Sequence, residues 1–282
     1  MNLIMQKIRL ITICLCVFCV ACTNAENKNI NASEIVKMIQ KGKPVQLADK
    51  VIFGDLNFAE ALKPEFLGGS VMCTKIQHSI SFAGCVFMGN VSAKSVQNGV
   101  PIQTVFGTNL VFQNCDFRGE VNFDDAEIFG YASFHKSNFR KSASFNNITI
   151  WASNCMFSYI IADSDFVMQA SRVKGTLNIA NAEFKNKLKL QELIVDDNLI
   201  FNNSKCSGNA DLSLMRIGGR TLFNYAEFLD NCNMLMARFN GDVEFYDTKF
   251  SKNPNFEKVI FTTISTNSQD FDLSKSILII KQ

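Results

Sequence analysis

The sequence has few of the residues from which enzyme active sites and metal centres are usually built. It contains only two histidines, His78 and His135, and each stands alone, whereas a general base needs a nucleophile or a carboxylate within hydrogen-bond range. No group of Cys and His has the spacing of zinc ligands. Gly218 and Gly219 lack the further glycines of a phosphate-binding loop and indicate a turn. We therefore expect a non-enzymatic protein with no catalytic residues, no cofactor and no bound metal.

A net charge of one sign is also absent. The chain has 28 Lys and Arg against 26 Asp and Glu, and Lys7 and Arg9 lie in a segment that we expect to be removed, which makes the two counts equal. A neutral chain has no basic stripe with which to contact phosphates. Nucleic acid is therefore excluded as an expected partner.

The only long apolar run lies near the N-terminus. Leu10 to Ala21 is almost wholly apolar and follows Lys7 and Arg9, which is typical of an export signal. The run is shorter than the about 20 residues of a permanent membrane helix. Residues 20–22, Val-Ala-Cys, resemble the end of a bacterial lipobox. This resemblance implies that residues 1–21 are a cleaved signal peptide and that the Cys22 thiol is lipidated.

Cys19 departs from the lipobox, which usually has an aliphatic residue at that position. An uncleaved anchor and a secreted soluble form therefore stay open as alternatives. Cys19 and Cys22 also have the spacing of a redox or metal motif, but they lie inside the signal segment. We expect residues 22–30 to be a polar tether and the protein to be lipid-anchored in the bacterial cell envelope, on its periplasmic or surface face.

Internal repetition is the strongest pattern in the rest of the chain. Phe112, Phe123, Phe134 and Phe145 recur every 11 residues, and a second apolar series with the same period lies between them. Further along, two such series run from Val173 to Phe261. The two halves are one residue out of phase at Ile150 and Trp151, which predicts a single-residue bulge there.

A small or apolar residue lies two positions before most members of these series, and period-two spacing places both side chains on one side of a strand. The intermediate positions are polar, which argues against a helix. Steps that alternate between five and six residues fit a chain with four short sides in each coil, so that two repeat periods make one coil. About seven such coils are predicted for the strict section.

Several stretches, among them residues 115–119, 182–184 and 226–228, resemble the pentapeptide-repeat family in its Phe-centred form. The resemblance covers Phe112 to Phe261 and extends back to Val71, with an inserted loop at Val96 to Thr104. It implies an all-β fold, the right-handed quadrilateral parallel β-helix. Its predicted structural core contains Phe112, Phe117, Phe123, Phe134, Phe139, Phe145, Phe184, Phe201, Phe223, Phe228, Phe239, Phe245, Phe250, Phe256 and Phe261.

The open ends of such a solenoid need covers. Residues 31–43 are predicted to form an N-terminal capping helix, with caps at Asn31 and Glu34 and a stop at Gly42 and Pro44. The β-helix is predicted over residues 44–282, with its first strands at 51–56. The β-prone run 277–280 is expected to seal the last coil.

Cysteines and acidic pairs are the remaining candidates for chemistry. Cys85, Cys115, Cys155, Cys206 and Cys232 fall on inward positions, which predicts buried free thiols; a disulfide between coils and a metal site are the alternatives. The acidic groups at 124–125, 163–165 and 196–197 could bind calcium, but a polar repeat surface favours simple corner residues.

Three functions are compatible with these patterns. The first is a membrane-anchored scaffold that binds an unknown protein partner in the envelope. The second is a carbohydrate-binding or carbohydrate-active β-helix, for which Asp116, Arg118 and Glu120 are close in sequence. The third follows from the resemblance, because one branch of the family mimics DNA toward gyrase, but the export signal and the neutral charge disfavour it. The oligomeric state is left open.

Overall fold

The computed structural model describes residues 28–68, 71–267 and 272–278. The predicted signal peptide and Cys22 lie outside the described residues. The described chain contains one helix, α1 (Ala32–Gln40). The first strands are β1 (Asn29–Asn31), β2 (Val45–Ala48), β3 (Val51–Phe53), β4 (Leu56–Asn57), β5 (Glu65–Gly68), β6 (Val71–Ile76), β7 (Ile80–Ala83), β8 (Val86–Phe87), β9 (Val91–Ser92), β10 (Lys94–Gln97), β11 (Val100–Phe106) and β12 (Leu110–Gln113).

The middle of the chain continues with two- and three-residue strands. They are β13 (Asp116–Phe117), β14 (Val121–Asn122), β15 (Glu127–Ile128), β16 (Ala132–Ser133), β17 (Asn138–Phe139), β18 (Ala143–Ser144), β19 (Thr149–Ile150), β20 (Asn154–Met156), β21 (Ile161–Ala162), β22 (Phe166–Val167), β23 (Arg172–Val173), β24 (Thr176–Asn178), β25 (Glu183–Phe184) and β26 (Leu188–Lys189).

The last strands include two longer ones. They are β27 (Ile194–Val195), β28 (Leu199–Ile200), β29 (Lys205–Cys206), β30 (Ala210–Asp211), β31 (Arg216–Ile217), β32 (Thr221–Leu222), β33 (Glu227–Phe228), β34 (Cys232–Asn233), β35 (Arg238–Glu244), β36 (Lys249–Phe250), β37 (Ile260–Ser265) and β38 (Ile277–Leu278).

Successive strands occupy four faces in turn, so one coil contains four short sides. Face 1 contains β2, β7, β12, β16, β20, β24, β28 and β32, and it continues into the second halves of the longer strands β35 and β37. Face 2 is a ten-stranded sheet that contains β1, β3, β8, β13, β17, β21, β25, β29, β33 and β36. Face 3 is an eight-stranded sheet that contains β4, β9, β14, β18, β22, β26, β30 and β34, and face 4 contains β6, β11, β15, β19, β23, β27, β31, β35, β37 and β38. Strands in neighbouring coils pair in parallel. This confirms the predicted all-β, parallel, four-sided β-helix.

The interior is filled by columns of stacked side chains, because parallel pairing places equivalent residues one above the other. Phe82, Phe112, Phe134 and Phe157 form one such column, with ring centroids 5.2, 5.1 and 4.9 Å apart and rings within 16° of parallel. Of the predicted core residues, fourteen are buried and Phe250 is half-buried while still packed against the core. The solenoid is therefore a filled rod rather than a channel.

Some inward positions hold hydroxyl groups, and these are satisfied by the backbone. The Ser137 hydroxyl donates to the Phe112 carbonyl and accepts from the Cys115 amide, at 3.2 and 3.1 Å. Ser204 makes the equivalent pair of bonds with Ile179 and Ala182. Because a buried hydroxyl is costly only when it has no partner, serine can replace alanine at these positions.

The predicted change of phase lies where the sequence placed it. Val121 pairs with Ala143, whereas Thr149 pairs with Arg172, so the step from one coil to the next is one residue longer for the second pair. The extra residue is accommodated between β19 and β20. Extended backward in steps of 11 residues, the apolar series that starts at Val173 would place Trp151 inward. Ile150 is buried instead, and Trp151 is 45% exposed and points to solvent. The bulge is therefore an expanded corner.

The N-terminal cap is shorter than predicted and begins with a strand. Helix α1 covers residues 32–40, and the Asn31 side chain accepts from the Ser33 amide in a capping box completed by Glu34. Asn29 and Ile30 pair with Val51 and Ile52, so the last residues of the predicted 22–30 tether already belong to the solenoid. Because residues 29–31 form β1, the tether ends earlier than predicted and the helix begins at Ala32.

Two hairpins interrupt the four-sided winding on face 4. The predicted insertion at Val96 to Thr104 is present, since Ile76 pairs with Phe106, but it forms an antiparallel hairpin of β10 and β11 instead of a loop. A second antiparallel pair is formed by β5 with β6. The polar turn residues 98 and 99, Asn-Gly, both have positive φ, which is the combination that tight hairpin turns favour. That signal was present in the sequence.

The corners follow their own 11-residue period. Residues with positive φ recur from Asn114 through Asp125, Lys136 and Asn147, and after the phase change from Tyr159 to Lys258. Other corners bring the chain close to the coil below, where a Cβ on Gly175 would lie 2.0 Å from the Ser153 carbonyl oxygen. Glycine is required there by close approach between coils.

The C-terminal end is closed by strand pairing. Ile277 and Leu278 pair with Ile260 and Phe261, and the rest of the predicted sealing run, 279–280, lies outside the described residues. Within the described part of the chain, no helix is long and apolar enough to cross a membrane.

Candidate interaction surface

The six described cysteines are free and buried, as predicted for the five that fall on inward positions. Burial raises the pKa of the Cys115 thiol to about 12 and also raises the pKa values of Cys155, Cys206 and Cys232. A thiol acts as a nucleophile or metal ligand only as the thiolate. These side chains therefore behave as small hydrophobic groups.

His135 makes the one side-chain pairing, among the residues that the structure describes, that resembles catalytic geometry. Its Nδ1 lies 2.8 Å from the Ser158 hydroxyl, and its ring packs edge-on against Tyr159. Desolvation and the neighbouring Lys136 lower the pKa of His135. Ser158 is only 2% exposed, so its hydroxyl cannot meet a substrate. His78 is exposed, at the edge of the cap.

The acidic pairs are occupied by contacts between coils. Asp124 accepts from the Ser144 hydroxyl and the Asn146 amide, Asp125 is paired with Lys94, and Asp197 accepts from Thr176. Over residues 28–68, 71–267 and 272–278, no group of three or more His, Cys, Asp or Glu is placed to hold a metal ion. These contacts fit the interpretation of the acidic residues as simple corner residues of the repeat.

Face 2 carries an ion-pair ladder that links neighbouring coils. Asp116 lies 3.2 Å from Arg118 and 2.7 Å from Arg140, Arg140 lies 3.1 Å from Asp163, and Asp163 lies 2.8 Å from Lys185. The Lys185 ammonium and the Arg140 guanidinium hold the pKa of Asp163 below its usual range. The ladder joins Asp116 and Arg118, two of the three residues considered for carbohydrate chemistry, and neutralises both.

Face 4 presents aromatic rings to solvent. Phe129 and Trp151 stack with centroids 5.7 Å apart and are 50% and 45% exposed. The Lys174 ammonium lies 5.3 Å from the Trp151 ring centre, and the indole N–H donates to Glu127 at 3.3 Å. Phe129 and Lys174 thus cover the Trp151 ring from neighbouring coils.

The C-terminal half of face 4 combines basic and apolar side chains. Arg216 pairs in register with Arg238 on the next coil, and both side chains are exposed. Neither makes an ion pair with another residue that the structure describes. They line a groove of about 410 Å³ together with Leu214, Met236, Lys258, Ile260 and Ile277.

Sequence reasoning missed this surface although its signal was available. Each arginine directly precedes an inward residue, Ile217 or Phe239, and period-two alternation makes such a position point outward. The two arginines are separated by two repeat periods, which is one coil, and this spacing predicts that they lie in register. Leu214 and Met236 occupy corner positions, also one coil apart, for which the apolar series make no prediction.

These features define a class of protein, a four-sided parallel β-solenoid with a satisfied interior and a partly unneutralised outer face. A family model for pentapeptide repeats matches the chain in 9 copies, over residues 102–149, 201–249 and 223–265. These segments are therefore pentapeptide repeats, in agreement with the resemblance inferred from the sequence. No curated protein and no solved structure matches the chain.

Proposed function

We propose that this protein is a non-enzymatic scaffold of the bacterial cell envelope, held at the membrane by a lipid on Cys22, and that face 4 binds a protein partner. The observation that carries the proposal is the group of exposed apolar side chains Leu214, Met236 and Ile277, which line one groove at face 4. Exposed apolar side chains that are grouped in this way mark interaction sites.

The anchor fits the architecture of the N-terminal end. The first described strand pairs at Asn29, seven residues after Cys22, so a lipid on that cysteine lies within about 25 Å of the first coil by the reach of an extended chain. The groove on face 4 lies near the other end. With ten strands on face 2 and about 4.8 Å between strands, the rod spans on the order of 45 Å. The proposed binding groove would therefore project away from the bilayer.

The two other functions have weaker support. Sugar-binding platforms use the open face of an aromatic ring, but Trp151 is packed between Phe129 and Lys174. A carbohydrate-active site would need carboxylates that converge on a substrate, and Asp116 is committed to two arginines. A DNA mimic needs a strongly negative surface, and this chain has nearly equal numbers of acidic and basic residues.

Metabolic labelling with an alkyne fatty acid tests the anchor. The wild-type protein should incorporate the label, and Cys22→Ala should abolish incorporation. Cys19→Ala is the matched control, because it removes a neighbouring thiol from the same segment and should leave the label in place. Unchanged labelling of the Cys22→Ala protein would show that the anchor hypothesis is wrong.

A further inference from the structure

The arginines of the described chain divide into two groups. Arg118, Arg140, Arg172 and Arg220 each pair with an acidic side chain. Arg216 and Arg238 do not pair with any described acidic residue, although they lie in register on neighbouring coils. Like charges placed directly opposite each other across paired strands destabilise a sheet. The fold therefore gains nothing from placing these two arginines together.

The surroundings of the two arginines add apolar contact area. Leu214 and Met236 are 36% and 40% exposed and occupy successive coils at the corner beside them, and Ile277 is 48% exposed on the last strand. Leucine and methionine at these corners have positive φ, at 59° and 56°, a conformation that such side chains rarely adopt. These aliphatic side chains and the basic side chains line one groove, which has no acidic lining residue among those that the structure describes.

We propose that this groove binds an acidic segment of a partner protein, in which carboxylates are flanked by aliphatic side chains. The carboxylates would pair with Arg216 and Arg238, since a guanidinium group binds a carboxylate through two parallel hydrogen bonds. Lys258 at the corner supplies a third positive charge, which is shared with Glu257 at 3.8 Å. The aliphatic side chains of the segment would cover Leu214, Met236 and Ile277.

Charge complementarity and position favour a protein segment over a lipid surface. The groove is concave, whereas a membrane contacts protruding side chains, and it lies on the coils farthest from Asn29, near which the described chain begins. This inference deepens the proposed function and rests on it for the position of the membrane. The binding of the peptide itself depends only on the residues that line the groove, and not on the lipid anchor.

Fluorescence anisotropy with a labelled peptide that mixes Asp and Leu tests the proposal on the full-length protein purified in detergent. The peptide should bind, and the same peptide with Lys in place of Asp should not. The double variant Arg216→Ala/Arg238→Ala should weaken binding roughly tenfold or more, and higher salt should weaken binding to the wild type because exposed charges are screened.

Matched control variants distinguish binding in the groove from non-specific binding to the protein surface. Arg118→Ala removes an ion-paired arginine on face 2 and should leave peptide binding unchanged. Leu229 on face 2 and Met236 in the groove are both 40% exposed, so Leu229→Ser should have no effect whereas Met236→Ser should weaken binding several-fold. Equal losses from the face 2 and groove variants would overturn the proposal.

A competition experiment with a lipid tests whether the groove binds a lipid headgroup instead of an acidic peptide. Short-chain phosphatidylglycerol below its micellar concentration should fail to displace the peptide. Binding of this lipid that is lost in the double arginine variant, with no binding of the acidic peptide, would contradict the proposed occupant. Such a result would leave the anchor on Cys22 untouched, since fatty-acid labelling tests that separately.

Discussion

Faces 2 and 4 cover opposite sides of the same interior, and they differ in how their outward charges are neutralised. On face 2, Arg140 sits between Asp116 and Asp163, and each charge has an opposite charge on a neighbouring coil. Face 4 has ion pairs from Arg172 and Lys174 to Asp196, but in its C-terminal half Arg216 is followed in register by Arg238, and neither has an acidic partner among the described residues. The repeat therefore fixes the interior and leaves the outer faces free to serve stability or binding.

The largest expected effect comes from the interior, which both faces share. Phe139→Ala beneath face 2 and Phe239→Ala beneath face 4 should each lower the free energy of unfolding by about 3–5 kcal/mol, because each leaves a cavity in a fully buried column. Urea unfolding measures the change. Phe129→Ala, which truncates a ring that is 50% exposed, is the control and should cost far less. If the two core substitutions differed several-fold, the view that one kind of interior supports both faces would be wrong.

The close approach of coils at corners ranks second. Gly175→Ala would place a Cβ 2.0 Å from the Ser153 carbonyl oxygen, and relief of that overlap should cost about 1–3 kcal/mol of stability. Thermal unfolding monitored by circular dichroism measures it. Lys141→Ala, at an exposed non-glycine corner, should leave the melting temperature nearly unchanged, and a neutral Gly175→Ala would show that the coils can separate there.

The sequence was sufficient to predict the winding and most of the core. The regular spacing of Phe112, Phe123, Phe134 and Phe145 predicts stacked inward rings, since only a chain that returns to the same side can bury them all. The shift at Ile150 was also visible. The hairpin at 96–104 was missed because the 11-residue repeat does not extend through the insertion, although the Asn-Gly turn at residues 98 and 99 indicated it.

The candidate site was far less predictable than the core. The apolar series predicts which side chains point inward and which point outward. Ion pairing depends in addition on which residues of the next coil lie alongside. Arg172 lies opposite Ile194 and reaches Asp196, which directly follows β27, whereas Arg216 lies opposite Arg238. The ion-paired and the unpaired arginines can be told apart only when the register between coils is known. The extra residue between β19 and β20 changes that register.

The face 2 ladder should make a smaller contribution than either packing feature. Asp163→Asn removes the shared partner of Arg140 and Lys185 and should lower stability at pH 7 by a few tenths to about 1 kcal/mol, because the pair is partly exposed and screened by solvent. Chemical unfolding at low salt measures it.

The pH dependence of that difference sharpens the test. The pKa of Asp163 is lowered in the folded state, so its carboxylate stabilises the fold above the unfolded pKa of about 3.9. The contribution is lost as the pH falls through the lower, folded-state pKa. Wild type and Asp163→Asn should therefore converge in stability below about pH 4, and a constant difference down to about pH 2 would exclude this mechanism.

The smallest expected effect is that of the unpaired arginines on stability. Arg216→Ala/Arg238→Ala should leave the urea midpoint unchanged or raise it slightly, since relief of repulsion between exposed charges is worth a few tenths of a kcal/mol. A loss comparable to that of the Asp163→Asn protein would mean that face 4 is built for stability as face 2 is.

Site-specific photocrosslinking in living cells tests most directly whether face 4 is the binding face. A photoreactive amino acid would replace Met236 on the face 4 corner or Leu229 on face 2, two positions that are equally exposed at 40%. We expect a discrete protein adduct from position 236 that is lost when Arg216 and Arg238 are changed to Ala, and none from position 229. Adducts from both positions alike, or only from position 229, would contradict the account.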